Sequence, residues 1–312
     1  MILSVSRRTD IPAFYLDWFF NRIKEGFVLV RNPMNYHQVS KVILSPDVID
    51  CIVFWTKDPR KIINRLDELK GYKYYFHITI TPYDNKIERS IRNKEEIIES
   101  LKKLSEKIGK EKVIWRYDPI ILSTDITIED HIKNFESLAS RLSNHTNVCT
   151  ISFLDIYKKT ERNMKTFNSI DMNDEIMLEI GGKFAKIAEH YNLKINTCSE
   201  KIDLSSVGID HAKCIDDNLI SETIGCTLNI GKDKNQRDIC GCVTSIDIGA
   251  YNTCKHQCLY CYANFSDTAV KNNIMKHDKN SPFLIGHEME GDKITNRKME
   301  SYKRAYEQST FL

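Results

Sequence analysis

The sequence predicts a parallel α/β protein, a TIM-like (β/α) barrel, and three observations carry that expectation. Short apolar strands alternate with amphipathic helices through the first 200 residues, the pattern of a parallel sheet with crossover helices. No G-x-G-x-x-G follows the first strand, which weakens a dinucleotide-binding open sheet. Polar residues recur just past the C-terminal end of each strand, where barrel proteins build their sites.

The first unit is a strand at 2–6 (ILSVS) and a helix at 11–25. Asp10 suits the N-cap, Pro12 the first turn and Gly26 the stop. Residues 27–45 read as a hairpin excursion. Strands follow at 50–55, 74–81, 112–117, 147–153 and 193–197, separated by helices at 58–70, 91–108, 127–143 and 173–191. A last unit pairs an apolar run at 243–248 (VTSIDI) with a helix at 265–275. No repeat or low-complexity linker interrupts this order. Residues 1–276 therefore read as one barrel, with a cysteine-rich insertion at 198–242 and a cysteine loop at 254–261. Residues 277–312 read as a tail that packs over the barrel and ends in a short helix.

The chain has 312 residues, 41% apolar and 28% charged, which suits one large barrel or two ordinary domains. A net charge of +2 gives no bulk electrostatic case for a nucleic-acid or membrane partner. Short apolar runs and a mean hydropathy of −0.40 exclude a membrane span. The start, MILSVSRRTD, has no apolar stretch of a secretory signal, so a cytoplasmic protein is expected. Of ten cysteines, eight lie between Cys198 and Cys261. In a reducing compartment such clustering points to metal or catalysis more than to disulfides.

The strand-end residues are Arg7, Arg8, Thr9 and Asp10; Trp55, Thr56 and Lys57; Thr79 and Thr81; Arg116, Tyr117 and Asp118; Asp155; and Cys198, Ser199 and Glu200. Strand ends always meet polar loops, so no single one is informative. As a set they mark a site, because charge directly behind buried runs is costly unless paired or facing a cavity. Arg116, Asp118 and Lys57 are the catalytic candidates. Trp55, Trp115, Tyr117 and Tyr157 could stack on a substrate or simply fill the core.

The sharpest motif is CKHQCLYC, with Cys254, Cys258 and Cys261 on one tight loop behind the 243–248 strand. Three thiolates can ligate three irons of a cubane and leave the fourth open. A structural zinc site wants four closed ligands. The motif resembles the C-x-x-x-C-x-aromatic-C of the radical S-adenosylmethionine superfamily, with Tyr260 as the aromatic residue. The resemblance implies a [4Fe–4S] cluster whose open iron chelates S-adenosylmethionine, and one-electron cleavage to methionine and a 5′-deoxyadenosyl radical. It also implies a reductant such as flavodoxin or ferredoxin, and contact of Tyr260 with the adenine. YCYAN resembles the spore photoproduct lyase branch, a pull toward a nucleobase substrate; an unknown small molecule is the other possibility. The family carries its triad on the first strand, whereas here six strands precede it, so a circular permutation is expected, with strand 243–248 beside strand 2–6. The whole chain also resembles an uncharacterised family with an N-terminal S-R-R-T-D-I-P-A-F segment, here Ser6 to Phe14, and a C-terminal cysteine cluster. No G-G-E segment exists to receive the cofactor amino group. Ser6, Thr9 or Asp10 could substitute, with Asp10 best suited to the cation; Arg7, Arg8 or Arg116 could hold the carboxylate, and Thr81 is a further cofactor-binding candidate.

Cys198, Cys214, Cys240 and Cys242 could close an auxiliary [4Fe–4S] cluster, the favoured reading, or a zinc site, or be ordinary buried thiols. Cys226 competes for one ligand position, and Cys51 and Cys149 read as core. His211 and His256, beside ligand cysteines, read as solvated loop residues or as donors to a cluster. Three functions remain open: a radical enzyme, an iron–sulfur electron carrier or sensor, and a zinc-binding barrel.

Overall fold

The computed structural model describes residues 1–155 and 167–304. The strands of the first six units and the hairpin form where the apolar runs place them, beginning with β1 (Ile2–Val5), the hairpin β2 (Phe27–Asn32) and β3 (Asn35–Ile43), β4 (Cys51–Thr56) and β5 (Tyr74–Thr79). They are followed by β6 (Val113–Ile120), a two-residue β7 (Leu122–Ser123), β8 (Val148–Phe153), a two-residue β9 (Ser169–Ile170), β10 (Lys194–Cys198), β11 (Asp210–Ala212), β12 (Ile246–Asp247) and β13 (Lys293–Asn296). One sheet holds eight of these in the order β11, β10, β8, β6, β5, β4, β1, β12. Every neighbouring pair in it is parallel.

Alternation along the strands divides the sheet into two faces. Ile52, Phe54, Phe76, Ile78, Trp115 and Tyr117 join the large core. That core takes in the apolar sides of α2 (Leu16–Glu25), α4 (Lys94–Ile108), α5 (Ile128–Leu142) and α6 (Asp174–His190). Their neighbours in register, Cys51, Val53, Tyr75 and Ile114, point the other way, into a second cluster with Cys214, Ile215, Cys240, Cys242 and Ile220. So the four long helices lie on one face, and the cysteine-rich segment with its own short helix (Asp217–Ile224, α7 below) covers the other. A parallel sheet needs cover on both faces.

The expected closed barrel is seen here as a large parallel sheet whose edges, β11 and β12, are not recorded as paired. The loops after β11 and before β12 meet instead, Val243 N–H donating to the Ile215 carbonyl at 3.1 Å. The expected adjacency of the last unit and the first is present. β12 lies parallel to β1, Leu3 opposite Ile246 and Ser4 opposite Asp247. It is shorter than the apolar run 243–248, because Val243 is drawn off to Ile215 and to a bridge with Lys232.

Two expected helices are broken. Residues 11–25 form α1 (Ile11–Phe14) and α2, separated at Tyr15, whose φ of −130° is not helical and whose hydroxyl donates to the Thr253 carbonyl at 2.6 Å. Asp10 does cap α1, accepting from Ala13 N–H at 3.0 Å, and Gly26 stops α2 with φ +77°, the left-handed conformation glycine adopts freely. Residues 58–70 give only α3 (Arg60–Ile63) and a 3-10 turn at Leu66–Leu69. The cysteine-rich insertion holds β11 and α7 (Asp217–Ile224). The helix behind the cysteine loop is α8 (Asp267–Met275). The tail adds β13 to the β2–β3 hairpin, parallel to β3; its expected final helix lies outside the described residues. Among the described residues no helix is long and apolar enough to cross a membrane.

Candidate functional site

The β1–β12 seam is built on one carboxylate. Asp247 accepts from Ser4 Oγ and Ser6 Oγ, each at 2.6 Å, from Arg7 N–H at 2.8 Å and from Gly249 N–H at 2.9 Å. The guanidinium groups of Arg7 and Arg8 lie 3.9 and 4.0 Å away. These bonds tie the strand that carries the cysteine loop to the N-terminal strand end. Sequence reasoning passed over Asp247, although one acid inside an apolar run was a usable signal.

The cysteine loop lands on a second carboxylate. Glu88, 1% exposed, accepts from Lys57 Nζ at 2.7 Å, Thr81 Oγ1 at 2.8 Å, the Tyr260 hydroxyl and Lys94 Nζ. Leu259 N–H donates to the Ile87 carbonyl and Ser90 N–H to the His256 carbonyl, each at 3.0 Å. Burial alone would raise the Glu88 pKa, but Lys57 and Lys94 pull it down to about 2. Lys57, desolvated but flanked by Glu88 and Cys258, has a raised pKa, whereas Lys94 is lowered by burial and by the neighbouring Lys57. Nothing in the sequence around Glu88 signalled this role.

Asp10 links the two halves of the site. Its Oδ2 accepts from Lys57 N–H and pairs with His256 Nε2, both at 2.8 Å, while Oδ1 caps α1. This corrects two expectations. Asp10 is spent on protein donors, so it is not a free acceptor for a cationic amino group. His256 is buried at 4% exposure, not solvated. Ser6 and Thr81 are likewise bonded within the protein. Arg7 and Arg8 are both loosely attached, at 3.4 Å to Ser245 Oγ and to the Gly249 carbonyl, with Trp55 5.9 Å from the Arg7 guanidinium. Arg116 and Asp118 are paired, Nε to Oδ2 at 3.0 Å, and Ser152 also donates to Asp118. Of the aromatic candidates, Trp115 and Tyr117 are core, Trp55 stacks on His77 at 5.2 Å, and Tyr157 lies outside the described residues.

Burial raises the pKa of all three triad thiols, Cys258 to about 12. Backbone N–H groups oppose it, from His256 at Cys254 and from Ala263 and Asn264 at Cys261, and Lys57 acts on Cys258 and Cys261. Oriented N–H donors and one cation around half-buried thiols are a donor set suited to thiolate–metal bonding.

The other four cysteines share one cluster, Cys198 packed against buried Cys214, Cys240 and Cys242. Cys198 Sγ lies 2.8 Å from Cys214 Sγ. Cys226 is not among them, Cys51 and Cys149 are core, and His211 is exposed, its ring 3.1 Å from Thr197 Oγ1. Among the described residues no group of three or more Cys, His, Asp or Glu already has the separations of a metal site. A cavity of about 910 Å³ opens between the β2–β3 hairpin, the tail and residues 248–252. It shares Arg8, Gly249 and Tyr262 with the seam but is lined by none of the cysteines, so this cavity and the thiol chemistry do not coincide.

A family model described as a domain of unknown function, DUF1848, matches residues 2–263. No curated protein matches the chain. Among solved structures, a candidate alpha-L-fucosidase from Bacteroides thetaiotaomicron is 11% identical, with 73% of this chain and 83% of that one covered and a TM-score of 0.27, a likeness too slight to carry fold or activity.

Proposed function

The chain belongs to the DUF1848 family, and we propose that it is an iron–sulfur enzyme of the radical S-adenosylmethionine type, its sheet wrapped as a permuted, partly open barrel. One observation carries the reading: β12 pairs with β1, so a loop late in the chain reaches the same strand ends as Arg7, Lys57 and Thr81. The wrap is supported by Tyr75 and His77 of β5, which both bond the Cys214 carbonyl at 2.7 Å across the face opposite the helices.

Cys254, Cys258 and Cys261 are the residues that would hold a [4Fe–4S] cluster with one open iron. When bound with S-adenosylmethionine, that cluster would supply the one-electron cleavage that yields methionine and a 5′-deoxyadenosyl radical. The protein's part is to hold and to screen. Glu88 fixes Tyr260 and, through Lys57, brings positive charge to Cys258, and charge near thiolates tunes a cluster. Asp10 fixes His256 and the Lys57 backbone, which sets the loop against the strand ends. Arg7 is the cation with capacity left for a carboxylate.

Anaerobically purified protein is expected to be brown, and each of Cys254→Ala, Cys258→Ala and Cys261→Ala to lose about four irons. Dithionite with S-adenosylmethionine is then expected to release 5′-deoxyadenosine. Unchanged iron in all three variants refutes the cluster; iron without 5′-deoxyadenosine leaves an electron carrier or sensor.

A further inference from the structure

We propose that Cys198, Cys214, Cys240 and Cys242 form a second metal centre, separate from the triad, that takes a single zinc ion. The four come from three places in the chain: the end of β10, the loop after β11, and the Cys-Gly-Cys before β12. Folding brings them into one cluster, Cys198 packed against buried Cys214, Cys240 and Cys242, with the Cys198 and Cys214 sulfurs 2.8 Å apart. Cys214, Cys240 and Cys242 are buried, and all ten cysteines are free thiols.

The surroundings suit thiolates. Arg116 Nη1 donates to Cys214 Sγ at 3.0 Å, and Ile215 N–H donates to Cys242 Sγ at 3.4 Å. A zinc ion with four thiolates carries a net charge of −2, and the Arg116 guanidinium, shared with Asp118, stands beside it. Metal uptake would exchange the thiol protons for zinc, with no redox change.

The sulfur spacing separates one ion from a cubane. In a tetrahedral site all four sulfurs share one ion, and a Zn–S bond of ~2.3 Å sets their edges near ~3.8 Å. In a cubane each thiolate meets a different iron, which holds the sulfurs farther apart. The Cys198–Cys214 pair, already in contact, needs to widen by only about 1 Å to become an edge of the tetrahedron. A cubane would have to drive that pair much farther apart inside a packed cluster that includes Ile2, Val53, Tyr75 and Ile215. Spacing therefore favours zinc over the auxiliary iron–sulfur cluster that the sequence suggested.

The test is metal analysis of the whole chain carrying C254A, C258A and C261A together, purified without added metal. About one zinc per chain is expected, with no acid-labile sulfide; adding Cys214→Ser should abolish it and adding Cys226→Ser should not. Should the triple variant fail to fold, the unaltered protein gives the same reading, as about one zinc beside the triad's iron. Cobalt substitution should then produce thiolate-to-metal charge transfer. Iron in place of zinc overturns the proposal, as does a metal-free chain or loss of the four thiols to disulfides. In the triple variant none of these outcomes depends on whether the triad binds a cluster, and in the unaltered protein the zinc count alone decides.

Discussion

Glu88 concentrates more of this site's electrostatics than any residue the sequence singled out. It is one buried acid against two buried ammonium groups and two hydroxyls. Glu88→Gln keeps the shape and removes the charge, leaving Lys57 and Lys94 without their counter-ion, a change that costs about 3–5 kcal/mol when a buried pair is broken. Urea unfolding at neutral pH should show that loss. The sign of the pH dependence follows from the depressed pKa. Stabilisation by the carboxylate is complete above its ordinary value of 4.5 and is lost as the pH falls through about 2. The unaltered protein should therefore lose stability steeply below pH 4.5, and Glu88→Gln should flatten that limb; parallel acid limbs would refute the assignment.

Among the elements, β12 is only two residues long yet carries the seam to β1. Two residues pair it to β1, and the Asp247 network supplies what a longer ladder would. That network leaves no room at Gly249. A Cβ there would stand 2.0 Å from Ser6 Oγ and 2.7 Å from Ser6 Cβ. Gly249→Ala should thus cost about 1–3 kcal/mol, the usual range for overpacking, read as a fall in the urea midpoint. Ser6→Gly in the same chain should recover part of it, although the Ser6 hydroxyl bond is lost. An unaffected single variant would show that the seam is looser than these distances say.

On the scale of the whole molecule, the seam makes chain order separable from fold. Asp50 binds the Met1 ammonium and also accepts from Ser301 Oγ and from Tyr302 N–H at 2.8 Å. The start of the chain and residues 301–302 therefore meet at one carboxylate, so a short Gly/Ser link from residue 304 to residue 1 is geometrically available. Opening the chain in the exposed turn between Lys234 and Asn235 would place β12, the cysteine loop and α8 ahead of β1. That permutant should unfold cooperatively with an unchanged far-UV CD spectrum. A molten or aggregated product would mean that β12 docks only when it is made last.

The sequence by itself determined the alternation of strands and helices, the placing of the cysteine loop behind an apolar run, and the adjacency of that run to β1. The first two rest on local pattern, namely apolar runs, helix punctuation at Asp10 and Gly26, and cysteine spacing; the third rests on the resemblance of the cysteine motif to a family that carries it on its first strand. The four further cysteines were also legible, because their number and clustering had no structural explanation. Only the tertiary structure decided that Glu88 and Asp247 anchor the loop and the seam, that Asp10 is occupied by Lys57 and His256, and that helix 11–25 breaks at Tyr15. The contacts that decide them include pairs 47 and 246 positions apart at Asp10, 172 at Glu88 and 243 at Asp247, and no local propensity encodes which distant donor will reach a given carboxylate. The sulfur spacing of the second cysteine group belongs there too, because it is fixed by how β10, the loop after β11 and the approach to β12 pack on the sheet.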